Sequence, residues 1–451
     1  MSVNNKSISC NRIFENKIIF LIIFTLFQPF FDVLGGKRFS IILIIIPIMF
    51  FGDMLRHRIV CYRSSTKNFF LMLIGAFGIS LTNSSDYMSS LMWIYIWIIY
   101  YIIYIWSSQY KIEYKLFDMQ RIIKVYIICG IIISILGIFQ YIYFNLFNGW
   151  DNYSNYVLKS FLGSLIYGNK TAQMIALTGS NWINGLVGFR GTSIFGGPDS
   201  NGMFACLILA LAISLKSLNY NTKMINISIV VSLLNLILTF GRASWLNFIF
   251  ILISLMSFKK KGIKTIVKLL IGFTCIIIII LLINPSVLDK VNIALASIVN
   301  TNEQSNAGRL DIWQSNFVLF FKHPILGWGI GNYNFAYEYM FNKVSELINF
   351  SAHNAYFLFL VEDGILGTTF FIMFYVKNIL DAKKIYMKTS NNMIKVYSMF
   401  VFCCTIGILV QYVFDYDFSN FRLLPLLMLN FGILNNIIRN MNKCENLSQK
   451  L

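Results

Sequence analysis

The sequence predicts an all-α, polytopic helical membrane protein, and three observations carry that prediction. Of 451 residues, 57% are hydrophobic and only 12% are charged. A soluble chain of this length cannot bury so much apolar surface in one core, so lipid must solvate part of it. Apolar runs approaching the ~20 residues that a helix needs to cross a bilayer recur along the chain. The basic residues behind a net charge of +18 sit in short segments between those runs. That is a topology signal facing anionic lipid, and no nucleic-acid partner is expected.

The elements follow in order. Spans are expected near 18–34, 39–52, 69–82, 87–106, 122–147, 200–215, 224–240, 243–258, 266–283, 354–376, 396–413 and 421–438, about 12 in all. The second and third are short enough to be tilted hairpin pieces. No cleaved signal peptide is expected, because the run after Lys17 is long enough to remain as the first span. An even number of spans puts both termini on one side. With the N-terminus cytoplasmic, 26 of the 37 Lys and Arg residues fall in cytoplasmic segments, although the outer segments hold far more loop residues. This asymmetry sets the expected orientation.

Two outer loops are long, 148–199 and 284–353. The second lies between spans 9 and 10. The expected organisation is therefore an N-terminal bundle over 1–283, a large extracytoplasmic loop over 284–353, and C-terminal helices with a cytoplasmic tail over 354–451. Within the large loop Leu310, Trp313, Phe317 and Phe320 recur at helical spacing up to Pro324, which predicts an amphipathic helix lying on the membrane face or capping the bundle. A second helical stretch is expected around Phe335 to Leu347. Neither long loop contains any of the 8 cysteines, and no paired spacing suggests zinc, so neither a disulfide nor a metal site is expected. No internal repeat is visible, which argues against a transporter built from inverted halves.

Four outer positions stand out as candidates to carry chemistry. Arg242 sits in a tight break, Thr239-Phe240-Gly241-Arg242-Ala243-Ser244-Trp245, between two apolar runs. A charge held at mid-bilayer costs about 2.5–3.5 kcal/mol, so such a residue faces a cavity or a partner, or else snorkels to the interface. Arg309 opens the amphipathic helix, where a cation gains little from the macrodipole. Arg190 lies in a Gly-rich stretch before a span, and its glycines allow backbone to approach a ligand. His353 stands where the large loop meets the next span, and histidine is readily tuned to take a proton near neutral pH. His323 precedes Pro324 and is expected to end a helix. The Gly327-Trp328-Gly329-Ile330-Gly331 run reads as a turn, since neither a strand nor a Gly-Lys-Ser/Thr surrounds it. Glu362 and Asp363 fall inside an apolar span and are expected to face the bundle interior. Asp415, Asp417 and Arg422 flank the last outer turn and are expected to be at most a minor part of the site.

Guanidinium groups with few carboxylates nearby suit a phosphate. At the outer membrane surface the phosphate carrier is expected to be a lipid-linked substrate. A single base beside a phosphate clamp then suggests transfer of the attached group, the arginines stabilising the departing pyrophosphate while the histidine deprotonates an acceptor hydroxyl.

At these residues the chain resembles the O-antigen ligase and polymerase superfamily of membrane glycosyltransferases, over roughly 185–370. The resemblance rests on Phe240-Gly241-Arg242-Ala243, on Gly308-Arg309 with Trp313, on His323-Pro324-Ile325-Leu326-Gly327-Trp328-Gly329, and on His353-Asn354-Ala355-Tyr356 followed by Glu362, Gly364 and Gly367. The segment Arg-x-x-Gly-x-Phe-x-x-Pro-Asn of that family is approximated by Arg190 to Asn201. Here Thr192-Ser193 replaces the Gly spacing, and Asp199-Ser200 separates Pro198 from Asn201.

The resemblance implies a GT-C-like helical fold and an active site on the outer face of a bacterial cytoplasmic membrane. It implies metal-independent, inverting transfer with no cofactor. Arg242 and Arg309 would bind the pyrophosphate of an undecaprenyl-linked glycan, and His353 would be the catalytic base. Arg190, Asn354, Glu362 and Trp313 would complete the substrate site. A glycan acceptor, the bilayer, a flippase and a chain-length regulator are the implied partners. Members split into polymerases, which extend lipid-linked repeat units, and ligases, which pass the glycan to lipid A–core. The richness in Ile, Asn, Lys and Phe fits an AT-rich genome, and many such bacteria lack lipopolysaccharide, which favours a polymerase of capsule, O-antigen or exopolysaccharide. A lipid-linked sugar transporter is the reading from another class. It would require a charged central cavity, whereas the polar residues here concentrate on one face.

Overall fold

The structure is a computed structural model that describes residues 2–33, 37–57, 64–108, 119–147, 149–167, 172, 190–258, 304–341, 352–415 and 420–448. The architecture is that of a polytopic helical membrane protein. The first part comprises α1 (Ser2–Phe27), α2 (Ile42–His57), α3 (Ser65–Ser80), α4 (Tyr87–Ser108) and α5 (Met119–Leu146). Two short helices follow, α6 (Trp150–Tyr153) and α7 (Phe161–Tyr167). Then come α8 (Pro198–Ser217), α9 (Lys223–Leu238) and α10 (Arg242–Leu255). Beyond the segment 259–303, outside the described residues, lie α11 (Gln304–Lys322) and α12 (Tyr333–Phe341). The chain ends with α13 (Ala355–Lys388), α14 (Asn392–Gln411) and α15 (Leu423–Ser448).

Five of these, α4, α5, α8, α13 and α14, are long and apolar enough to cross a membrane unaided, and α2, α9 and α10 are shorter apolar helices. The expected span at 266–283 lies outside the described residues. One local difference concerns the first turn. Phe30–Val33 and Lys37–Ser40 pair as an antiparallel ribbon, Phe30 opposite Ser40, where the sequence predicts a continuous first span to residue 34 and a second from 39. The β-branched and aromatic character of this stretch suits a strand, and the ribbon satisfies backbone groups that a loop would leave open.

Side-chain caps fix where several helices begin. Ser64 accepts from Lys67 N at the start of α3, Thr222 from Ile225 N at the start of α9, and Asn391 from Met393 N and Ile394 N at the start of α14. Each occupies an N–H that the first helical turn leaves without a partner. Polar contacts also set helix direction. Thr66, early in α3, donates to Asp381, late in α13, whereas Ser80, at the end of α3, donates to Asp363, early in α13. The two helices are therefore antiparallel. The same logic places Ser244 and Asn247 of α10 against Gln411 at the end of α14, while Phe258 beyond α10 meets Tyr386 and Phe402.

Inside the bundle, polar side chains bond one another across helices, as a lipid-embedded core requires. Asn201 of α8 and Asn235 of α9 exchange two amide hydrogen bonds of 3.0 Å. Asn430 of α15 accepts from Tyr126 of α5 and Tyr397 of α14. At the short-turn end, Lys17 pairs with Asp53, Arg121 with Glu15 and Lys377 with Asp381. Several basic residues assigned to one face by charge counting thus have carboxylate partners at that same end.

The other end gathers the loops. Arg422 is 3% exposed and ties three of them together. It donates to Gln28 O at 3.1 Å and Ile166 O at 2.9 Å, bonds Ile194 O, and lies 4.7 Å over the Phe30 ring. Asp417 lies outside the described residues.

Candidate active site at the loop-rich end

The turn between α9 and α10 is the first half of the site. Phe240 adopts φ 49°, left-handed backbone that costs an L-residue about 1–2 kcal/mol. Gly241 then caps α10 without a side-chain bond, and Arg242 is its first residue, half-buried. The turn is held from outside by Arg190. Its Nε donates to Thr239 O and its Nη2 to Phe240 O, both at 2.9 Å, and Asp199 stands 3.8 Å from Nη2. Gly191 N also donates to Leu238 O at 3.2 Å. A planar guanidinium presents its N–H groups in a fixed fork that fits two neighbouring carbonyls, where a lysine offers only a compact point charge.

The Arg190 segment is itself clamped. Ser193, at φ 50°, donates its N–H to Gln140 Oε1 at 2.6 Å and its hydroxyl to Ile133 O at 2.8 Å. Tyr167 donates to Ser193 O at 2.6 Å and lies 3.0 Å from the Tyr153 hydroxyl. Burial, reinforced by Tyr167, pushes the Tyr153 phenol far above its ordinary pKa, so it stays a neutral hydrogen-bonding group.

The second half of the site is the start of α13. His353 has φ 46° and is partly exposed. Asn354 follows it as the N-cap, its Oδ1 accepting from Tyr356 N at 2.8 Å and Phe357 N at 3.0 Å. Ala355 N donates to Tyr412 O at 2.8 Å. The preceding residue, Gln411, donates to Ser244 Oγ at 3.2 Å and Asp199 O at 3.1 Å, and accepts from Asn247 at 2.7 Å. A continuous set of bonds therefore runs from the Arg242 turn through Gln411 and Tyr412 to the residues beside His353. Of the positive-φ residues other than glycine among those described, Ser193, Phe240 and His353 belong to these segments and Asn219 does not. Strain of this kind concentrates at functional sites. The helices α8, α10 and α13 all start here, so their N-terminal dipole ends add positive potential.

Helix α11 covers the start of α13. Trp313 packs 5.9 Å and Phe317 4.9 Å from the Phe357 ring, measured between centroids. Arg309 lies on α11 one turn before Trp313; its backbone is helical, and its side chain is outside the described residues. The expected amphipathic helix is present, and α12 starts near the second expected stretch, whose residues 342–347 lie outside the described residues.

The Gly-rich run after α11 does more than turn. Helix α13 breaks at Gly364, φ 63°, which frees carbonyls and N–H groups that must find partners. The loop supplies them. Trp328 N donates to Val361 O at 2.9 Å and Gly329 N to Glu362 O at 2.8 Å, while Ile365 N donates to Pro324 O at 2.9 Å and Leu366 N to Ile325 O at 3.3 Å. A Cβ on Gly327 would meet Glu362 O at 2.3 Å, and one on Gly364 would meet Ile325 O at 2.3 Å. The outer face of this strap is bonded to the α3–α4 turn, with Asn332 donating to Ser84 and Ser90 and accepting from Asp86 N at 2.8 Å. His323 ends α11 as expected, its ring 4.4 Å from Trp328.

Arg190, Arg242, Trp313, His353, Asn354 and Glu362 thus share one end of the bundle, with different duties. The guanidinium of Arg190 bonds backbone carbonyls, Asn354 caps α13, and the Glu362 carboxylate accepts from Tyr333 N at 3.2 Å. Gln140, Asp199, Gln411 and the strap are parts of the site that sequence reasoning missed. Repeated glycine is the only sequence signal for the strap, and it does not say what the loop docks against. Among the described residues no group of three or more His, Cys, Asp or Glu is placed to hold a metal ion.

A comparison with curated proteins gives no match. The O-antigen ligase family model, however, matches residues 227–372, from within α9 to just past the break in α13. That stretch, about a third of the chain, includes the Arg242 turn, α11, the strap and the start of α13, and over it the chain is similar to the O-antigen ligase family.

Proposed function

We propose that the protein polymerises oligosaccharide repeat units carried on undecaprenyl pyrophosphate, at the outer face of a bacterial cytoplasmic membrane. Arg242 and Arg309 hold the pyrophosphate, assisted by the helix starts at α8, α10 and α13. His353 takes the proton from an acceptor hydroxyl. The acceptor oxygen attacks the anomeric carbon as the bond from that carbon to phosphate oxygen breaks, the electron pair leaves with the lipid pyrophosphate, and the configuration inverts. Arg190 shapes the Arg242 turn rather than touching the donor. The loop region 284–353 caps a bundle formed by 1–283 and 354–451.

The observation that carries this reading is the bonded path from the Arg242 turn through Gln411 and Tyr412 to His353. It holds a cation and a candidate base at one end of the bundle while leaving His353 partly exposed. The polymerase form rests on the richness in Ile, Asn, Lys and Phe. The test is the glycolipid profile of cells carrying His353→Ala or Arg309→Ala. Long polymer should vanish while single repeat units remain on the lipid. Normal chain lengths in both variants would defeat the assignment, and loss of glycan from lipid A–core instead of polymer would favour a ligase.

A further inference from the structure

The Glu362 carboxylate accepts the Tyr333 N–H at 3.2 Å, at the point where the strap becomes α12. The hydroxyl of the same Tyr333 donates to Asn316 Oδ1 on α11 at 2.6 Å. Tyr333 is 3% exposed, Asn316 0% and Glu362 9%, so this path is shielded from water, where each bond is costly to lose. One turn before Asn316 on the same helix, Trp313 rests on Phe357 near the start of α13. One turn earlier still is Arg309.

We infer that Glu362 is a positioning residue: through the backbone and then the hydroxyl of Tyr333, it sets the height of α11, and so of Arg309, over the segment that carries His353. The inference rests on the reading that Arg309 and His353 serve one transfer. A carboxylate is well suited to accept an N–H at a helix start, where the dipole also favours negative charge. Its charge is not needed for this task, because a glutamine oxygen accepts the same bond.

The experiment is a cross-linking reporter in native membranes. Cysteines replace Phe317 and Phe357, whose ring centroids are 4.9 Å apart, and the yield of bridging by a short bis-thiol-reactive linker is read beside polymer synthesis. Glu362→Ala should lower the cross-link about tenfold and reduce transfer with it. Glu362→Gln should restore both. Tyr333→Phe, which removes only the hydroxyl, should lower the cross-link in the same direction and serves if Glu362→Ala does not accumulate. His353→Ala should abolish transfer and leave the cross-link intact, so that loss of the functional reading and loss of the positioning role separate. A native cross-link in Glu362→Ala or Tyr333→Phe overturns the inference. So does a Glu362→Gln protein that cross-links normally yet transfers nothing, since the charge itself would then be required.

Discussion

Tyr412 accepts the backbone N–H of Ala355 at 2.8 Å. That bond joins the end of α14 to the beginning of α13, two residues from His353. Because Gln411, one residue earlier, bonds Ser244 in the first turn of α10, two helix starts that are distant in sequence are held at one level. Neither helix could slide along its axis without breaking a buried bond.

The Arg190 guanidinium should be hard to replace. Arg190→Lys keeps the charge and loses the fork onto Thr239 O and Phe240 O. Thermal unfolding of the purified protein in detergent should show a loss of about 1–3 kcal/mol for both Arg190→Lys and Arg190→Ala. A lysine variant as stable as the parent would mean that charge alone holds the turn.

The strap makes a prediction about glycine. Gly364→Ala places an L-residue at φ 63° and a Cβ against Ile325 O, so it should cost at least about 1–2 kcal/mol from the backbone conformation alone. Gly327→Ala should be comparable, since its Cβ meets the backbone of Glu362. In α3, a Cβ on Gly75 or Gly78 would meet nothing within 4 Å. Alanine there should be neutral, or stabilising by up to about 1 kcal/mol. Unfolding midpoints of the four variants provide the comparison.

The paired amides offer a third test. Asn201→Leu and Asn235→Leu each leave the other amide without its reciprocal bonds, so the double variant should recover part of the loss. A double-mutant cycle should give a coupling of about 0.5–2 kcal/mol. Strict additivity would mean that the pair is not formed in the membrane.

Much of this architecture is legible in the sequence. The helices α3, α4, α5, α8, α9 and α10 fall close to the expected spans, because ~20-residue apolar windows are a strong signal once lipid is the solvent. Arg242, Trp313 and His353 draw the eye in the sequence because charged and aromatic residues stand out against apolar runs. The duties of Arg190 and Glu362 are not legible. Both read as ligand-binding groups, and both bond backbone far away in sequence, Arg190 at Thr239 and Glu362 at Tyr333. Backbone acceptors and donors are present at every residue, so no pattern of side chains announces them. The ribbon at Phe30–Ser40 is hidden for a similar reason, since its apolar residues continue the hydrophobic run of α1.

The most direct measurement is transfer by purified protein in lipid nanodiscs, supplied with a defined undecaprenyl-pyrophosphate-linked repeat unit. Release of undecaprenyl pyrophosphate and growth of the glycan are followed together. The parent protein should release one lipid pyrophosphate for each glycosidic bond formed, and this should persist in EDTA. His353→Ala and Arg242→Ala should lower the rate at least about 100-fold, the scale of a lost general base or of a lost group that stabilises the leaving charge. Undiminished transfer by either variant would contradict the account.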